Sequence, residues 1–146
     1  MAESNKTYNE ILVVKNIQVT DKSDYKFKNS NLCKFKKSIH INDWIDDKSK
    51  VLMGALRVPT KLSVYKSFLE IHKFHKKYYS TLQHPKSIIS KQTKIGAGTM
   101  IGPGTIISPF TKIGYLVSLS RGAIISHHTK IGDFCTLNPG CKIAGG

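Results

Sequence analysis

At 146 residues, with 40% hydrophobic residues and a formal net charge of +14, the chain has room for one domain or two small ones and a modest core. The polar stretch Met1 to Glu10 does not read as a signal peptide, and no run reaches the ~20 apolar residues of a membrane span. Only two of its 23 basic residues, Arg57 and Arg121, are arginine, and the lysines are spread along the whole chain; this argues against nucleic acid and for a solvated basic surface, with an anionic substrate or acidic surface as the alternative.

In chain order, Ile11–Val14 predicts a short strand, Thr20–Lys37 a lysine-rich loop, and Asn42–Asp47, around Trp44, a helical turn. Val51–Leu56 predicts a buried strand. Pro59 and Thr60 open an amphipathic helix running to about Lys77, with Leu62, Tyr65, Phe68 and Leu69 on its apolar side. Tyr78–Leu82 predicts one more strand, and His84-Pro85 a joint, because a residue before proline leaves the helical region. Alternating strand and helix makes residues 1–83 a small α/β unit. It contains no glycine-rich phosphate loop.

Residues 84–146 follow another rule. A nine-residue phrase occurs three times at intervals of 18: IISKQTKIG (Ile88–Gly96), IISPFTKIG (Ile106–Gly114) and IISHHTKIG (Ile124–Gly132). Within it, Ile89, Ile95, Ile101, Ile107, Ile113, Leu119, Ile125, Ile131, Leu137 and Ile143 recur every six residues. A helix cannot place such a period on one face, whereas short strands joined by tight turns can. Three hexads make one coil, and stacked coils make a parallel β-helix. The aliphatic points inward, a small residue after it lets the chain turn, and the Thr, Val, Ala or Cys two residues before it fills the remaining interior. Lys94, Lys112 and Lys130 then form an exposed ladder. Cys33, Cys135 and Cys141 are an odd number without a CxxC pair, which suits a reducing cytoplasm, and the latter two sit in interior slots. The repeat stops part-way into a fourth coil without a capping element, so either further coils follow Gly146, which is the expectation, or a partner subunit covers the end.

The repeat leaves one variable pair per coil: Lys91-Gln92, Pro109-Phe110 and His127-His128. The hexads and the stretch GAIISHHTKIGDF (Gly122–Phe134) resemble the bacterial sugar O- and N-acetyltransferases of the left-handed β-helix, or hexapeptide, superfamily. The closer likeness is to the sialic-acid O-acetyltransferase and amino-sugar N-acetyltransferase group, in which an α/β domain leads through a His-Pro joint into the coils. The resemblance covers His84–Gly146 and, less closely, Val51–Leu82. It implies a left-handed coil, acetyl-CoA as donor, no metal, a sugar or nucleotide-sugar acceptor, and a homotrimer with sites between subunits. The general base of the family maps to His127.

The chain departs from that pattern in three places. The acidic neighbour of the base is His128 here. A family histidine near the acyl group is Thr136. The glycine-rich loop that holds the nucleotide-sugar is missing from the N-terminal unit. The site expected from register and resemblance comprises His127 and His128 at the chemistry and Thr136 and Gly145 at the donor, with the Gly145 N–H one coil above His127. Asp133 is expected to shape a turn and His84 to serve the joint. Two other readings compete: a non-catalytic β-helix that acts as a structural or binding module, and a zinc enzyme of the γ-carbonic-anhydrase type. Adjacent histidines on an extended segment are expected to diverge, which disfavours the zinc reading.

Overall fold

The computed structural model describes residues 10–15, 34–40, 51–54, 58–72 and 75–146. The chain divides into two compact units, Met1–Lys48 and Ser49–Gly146. In the first, β1 (Glu10–Lys15) pairs in parallel with β2 (Lys34–His40), Ile11 opposite Phe35 and Lys15 opposite His40. β1 falls where a strand was expected. β2 does not: its start, Lys34–Lys37, belongs to the stretch expected to be loop. A lysine-rich run becomes a strand when a distant neighbour satisfies its backbone groups, and composition does not report such pairing. The turn expected at Asn42–Asp47 lies outside the described residues.

In the second unit the described part of the expected strand Val51–Leu56, residues 51–54, holds one parallel bridge, Val51 with Tyr79, and the rest lies outside the described residues. Val51 N–H donates to Tyr78 O at 2.9 Å and Ser80 N–H donates to Val51 O at 2.9 Å. Met53 is buried, and its neighbours Leu52 and Gly54 are exposed. α1 (Val58–His72) ends before the expected Lys77, and Lys76–Tyr78 forms a separate 3₁₀ turn. The strand expected over Tyr78–Leu82 is thus replaced by that turn, the Tyr79 bridge and β3 (Leu82–Gln83). β3 is already the first rung of the coils, with Leu82 N–H on Thr99 O at 2.9 Å. Residues from Ser49 onward group with the coils in one compact unit.

The coils form a parallel β-solenoid that matches a left-handed β-helix, with three flat sheets as its sides. One sheet holds β3, β6 (Met100–Ile101), β9 (Ser118–Leu119) and β12 (Thr136–Leu137). The second holds β4 (Ile88–Ile89), β7 (Ile106–Ile107), β10 (Ile124–Ile125) and β13 (Lys142–Ile143). The third holds β5 (Lys94–Ile95), β8 (Lys112–Ile113) and β11 (Lys130–Ile131). The second residue of each strand from β4 onward is the hexad aliphatic. Ile101, Ile107, Ile113, Leu119, Ile125 and Leu137 are buried with Val117 and Ala123, and the corresponding residues of the end coils are half-buried.

The threonine slot does more than fill space. Thr99, Thr105 and Thr111 are fully buried, and each Oγ1 donates to a carbonyl 15 residues on, at Gly114 (3.0 Å), Ser120 (3.2 Å) and Ser126 (3.0 Å). Each of these buried hydroxyls thereby ties one coil to the next and has its donor satisfied. Corners obey a backbone rule that the sequence period hides. From Gly98 onward the second corner residue has positive φ, whether glycine (98, 104, 122, 140) or Phe110, Leu116, His128 and Phe134. Gly96 marks a close approach between coils: a Cβ there would lie 2.5 Å from the Gly114 carbonyl and from Tyr115 N.

α1 lies against the corner carrying Leu116. Phe68 is buried and Tyr65 and Leu69 are half-buried, but Leu62 is exposed. The buried residue one turn before Tyr65 is Lys61, at 1% exposure. Its Nζ donates to Leu116 O (3.1 Å), Ser118 Oγ (3.3 Å) and Cys135 O (2.9 Å). All three ammonium donors have partners, which is the condition for burying the charge. Desolvation lowers the Lys61 pKa, opposed by the nearby Cys135. Around it, Met53, Tyr79 and Leu116 form a second buried cluster against Tyr65, Tyr115 and Phe134.

Candidate active site

The corner between β10 and β11 carries His127 and His128, both exposed. Pro109 and Phe110 occupy the same corner one coil below, and Gly145 and Gly146 one coil above, by the 18-residue register. Backbone bonds fix the stack: His128 N–H donates to Pro109 O at 3.2 Å, and Gly146 N–H donates to His127 O at 3.3 Å. Thr129 closes the turn, its Oγ1 donating to Ser126 O at 2.8 Å and reaching Ala144 O at 3.2 Å.

The two imidazoles converge. His127 Nδ1 lies 3.0 Å from His128 Nδ1, with ring centroids 5.2 Å apart and planes at 84°. The expected divergence of adjacent side chains is therefore corrected. His128 has φ +59°, and this left-handed turn swings its Cβ toward its neighbour, which a strand would not do. The His128 ring also stacks on Phe110, with centroids 5.0 Å apart and planes at 34°. An Nδ1 to Nδ1 hydrogen bond requires one ring to carry Nδ1–H and the other to present a lone pair. Each ring then leaves its Nε2 free for other work. Gly145 belongs to the same constellation: a Cβ on it would stand 3.0 Å from His127 Cε1 and 3.2 Å from His127 Nδ1, so only glycine leaves that side of the ring open.

The other expected residues lie elsewhere. Thr136 is on β12, in the sheet across the prism from the His127 corner, where it lines an open groove of about 820 Å³ with Val58, Arg121 and Asn138. One chain thus brings His127, His128 and Gly145 together and leaves Thr136 on its far side. Asp133 is engaged in the next corner, its Oδ1 accepting the Tyr115 N–H at 3.0 Å. His84 serves the first corner, with its Nδ1 accepting Lys86 N–H at 3.1 Å and its carbonyl accepting Ser87 Oγ–H at 2.7 Å. Among the described residues no group of three His, Cys, Asp or Glu side chains could hold a metal ion.

Phe110 escaped the sequence reading, although its signal was present: it is the variable residue one repeat before His128. Lys61 had no such signal, since a lysine in an amphipathic helix reads as solvent-facing. Beside Lys61 two tyrosines are perturbed. Burial raises the Tyr79 hydroxyl pKa, and burial together with a hydrogen bond that the Tyr115 hydroxyl donates to Tyr65 pushes Tyr115 up to about 12. Tyr79 Oη is buried without a hydrogen-bond partner among the described residues.

No family model matches the chain, and no curated protein matches it. Among solved structures it is similar to a mutant of perosamine N-acetyltransferase from Caulobacter crescentus in complex with CoA and GDP-perosamine. The likeness has 14% identity and a TM-score of 0.38, and covers 66% of this chain and 61% of that one.

Proposed function

We propose that this chain transfers an acetyl group from acetyl-CoA to a hydroxyl or amino group of a sugar or nucleotide-sugar. The observation that carries the reading is the 3.0 Å contact between His127 Nδ1 and His128 Nδ1 at an exposed corner of the coil. In the productive tautomer His127 carries Nδ1–H and donates it to His128, which leaves the His127 Nε2 lone pair for the acceptor proton. His128 thus takes the orienting part that a carboxylate plays in the resembling family, and its left-handed backbone and the Phe110 stack hold it there.

The acceptor oxygen or nitrogen loses its proton to His127 Nε2 and attacks the thioester carbonyl. The tetrahedral oxyanion lies against a backbone N–H, for which Gly145 is the residue beside the ring. Collapse breaks the carbon–sulfur bond, and the imidazolium returns its proton to the departing CoA thiolate. The acetyl group is bound to the acceptor, and CoA leaves as the thiol.

A donor that uses both the His127 corner and the Thr136 groove needs two chains, because the two lie on opposite sides of one prism. The reading therefore includes a homotrimer in which the groove of one copy faces the histidines of the next. It also places the protein in the cytoplasm, where cysteines stay reduced. No helix among the described residues is long and apolar enough to cross a membrane.

The test is acetyl-CoA turnover over a panel of amino and hydroxyl sugars. His127→Ala is expected to lose about 10²–10⁴-fold in rate, the usual worth of a general base, and full activity in that variant refutes the mechanism. The separation of Thr136 from His127 favours a second reading, a β-helix binding module without catalysis. It predicts no thermal shift with acetyl-CoA, and clear stabilisation by CoA excludes it.

A further inference from the structure

The prism sides differ in chemistry. The sheet of β4, β7 and β10 turns Ile88, Ile106 and Ile124 outward, while the sheet of β5, β8 and β11 turns out Lys94, Lys112 and Lys130. These lysines are all exposed and stand directly in register, Lys94 against Lys112 and Lys112 against Lys130. Rungs of a parallel sheet are about 4.8 Å apart. Like charges stacked in this way are mutually unfavourable. Residues 84–146 do not answer them: they hold seven basic residues and one acidic residue, Asp133, whose carboxylate is occupied by the Tyr115 N–H. The ladder also borders the histidine corner, with Lys130 two residues after His128.

We infer that this lysine face is a docking surface for an acidic polysaccharide, laid along the coil axis with one of its sugars at His127. A chain bearing carboxylates on successive units meets three ammoniums at once, so each contact raises the effective concentration of the next. A single anion meets one flexible lysine and gains little. Lysines suit scattered carboxylates as point charges, whereas a nucleic-acid platform uses arginine forks and free aromatic faces. Arg121 lies on another corner, and Phe110, at the edge of the lysine face, is already stacked by His128.

The inference rests on the acetyl-transfer reading for why such a chain is bound, and its test separates the two. Full-length protein is titrated with a labelled oligogalacturonate over a range of salt, with galacturonic acid monomer and single-stranded RNA of matched length as comparators. The oligomer binds, and log K falls linearly with log salt. Lys112→Gln reduces that slope by about one, whereas Lys86→Gln, on the corner opposite the lysine face, leaves it unchanged. Unchanged binding in the Lys94→Gln, Lys112→Gln, Lys130→Gln triple variant overturns the inference. So does monomer binding as tight as the oligomer, or RNA binding tighter than the glycan. An oligomer held by the ladder, with no sugar of the acceptor panel acetylated from acetyl-CoA, overturns the acetyl-transfer reading and leaves the docking surface standing.

Discussion

At the scale of single residues, environment rather than residue type decides what a side chain does. His127 and His128 are next to each other in the sequence, yet their rings meet only because His128 adopts a conformation that non-glycine residues seldom take. Lys61 shows the same principle in a buried setting. A lysine nine-tenths hidden must satisfy its ammonium internally, and here two carbonyls and a serine hydroxyl do so. Lys61→Ala leaves those oxygens facing a cavity and is expected to lower unfolding stability by about 2–3 kcal/mol, the cost of stranding buried acceptors, read as a shift in the urea midpoint. The repeat and the resemblance singled out the histidine pair, but they contained no information on ring geometry, and nothing around Thr60-Lys61-Leu62 marks a buried charge.

At the scale of elements, the hexad is a machine for stacking. Inward aliphatics were legible because a period of six survives every substitution in the coils. The hydrogen-bonding work of the threonines was not, since Val117, Ala123 and Cys135 occupy the same slot and suggest volume alone. Thr111→Val tests the difference. It keeps the shape of the side chain and removes a buried bond to Ser126 O, so a loss of about 1 kcal/mol is expected in thermal or urea unfolding. No loss means that the slot is only a spacer. α1 was found by its periodicity, and Phe68 is buried as expected, but the buried face turns toward Lys61 and away from Leu62. A helix chooses its buried face by what it packs against, and here that partner is a corner of the coil 55 residues away in sequence.

At the scale of the whole molecule, the packing of α1 on the coils sets an alkaline stability profile. Tyr115 has its pKa pushed up to about 12 from 10.0, and burial raises Tyr79 as well. A raised folded pKa adds stability that is complete below pH 10.0 and is lost as pH climbs through the folded value, because the unfolded chain releases its protons first. Lys61 acts with the opposite sign. Its folded pKa is lowered from 10.5, so folding releases a proton between the lowered value and 10.5, and stability rises with pH across that window. Unfolding free energy followed from pH 8 upward should rise in the Lys61 window and then fall from about pH 10 to about pH 12. Tyr115→Phe flattens the fall, and Lys61→Met removes the rise. A wild-type profile that is level over the whole range contradicts both assignments.

The sequence by itself determined the coil, because an uninterrupted hexad period admits one way of burying ten aliphatics, and it singled out the corner where His127 and His128 stand. Tertiary structure alone decided three things: that the histidine rings face each other, that Thr136 lies across the prism from them, and that Lys61 is buried. Each depends on contacts between residues distant along the chain or on one backbone torsion, and neither is written in local composition. A repeat specifies register along the solenoid; what meets across a corner or between a helix and a coil is settled only when the layers close on one another.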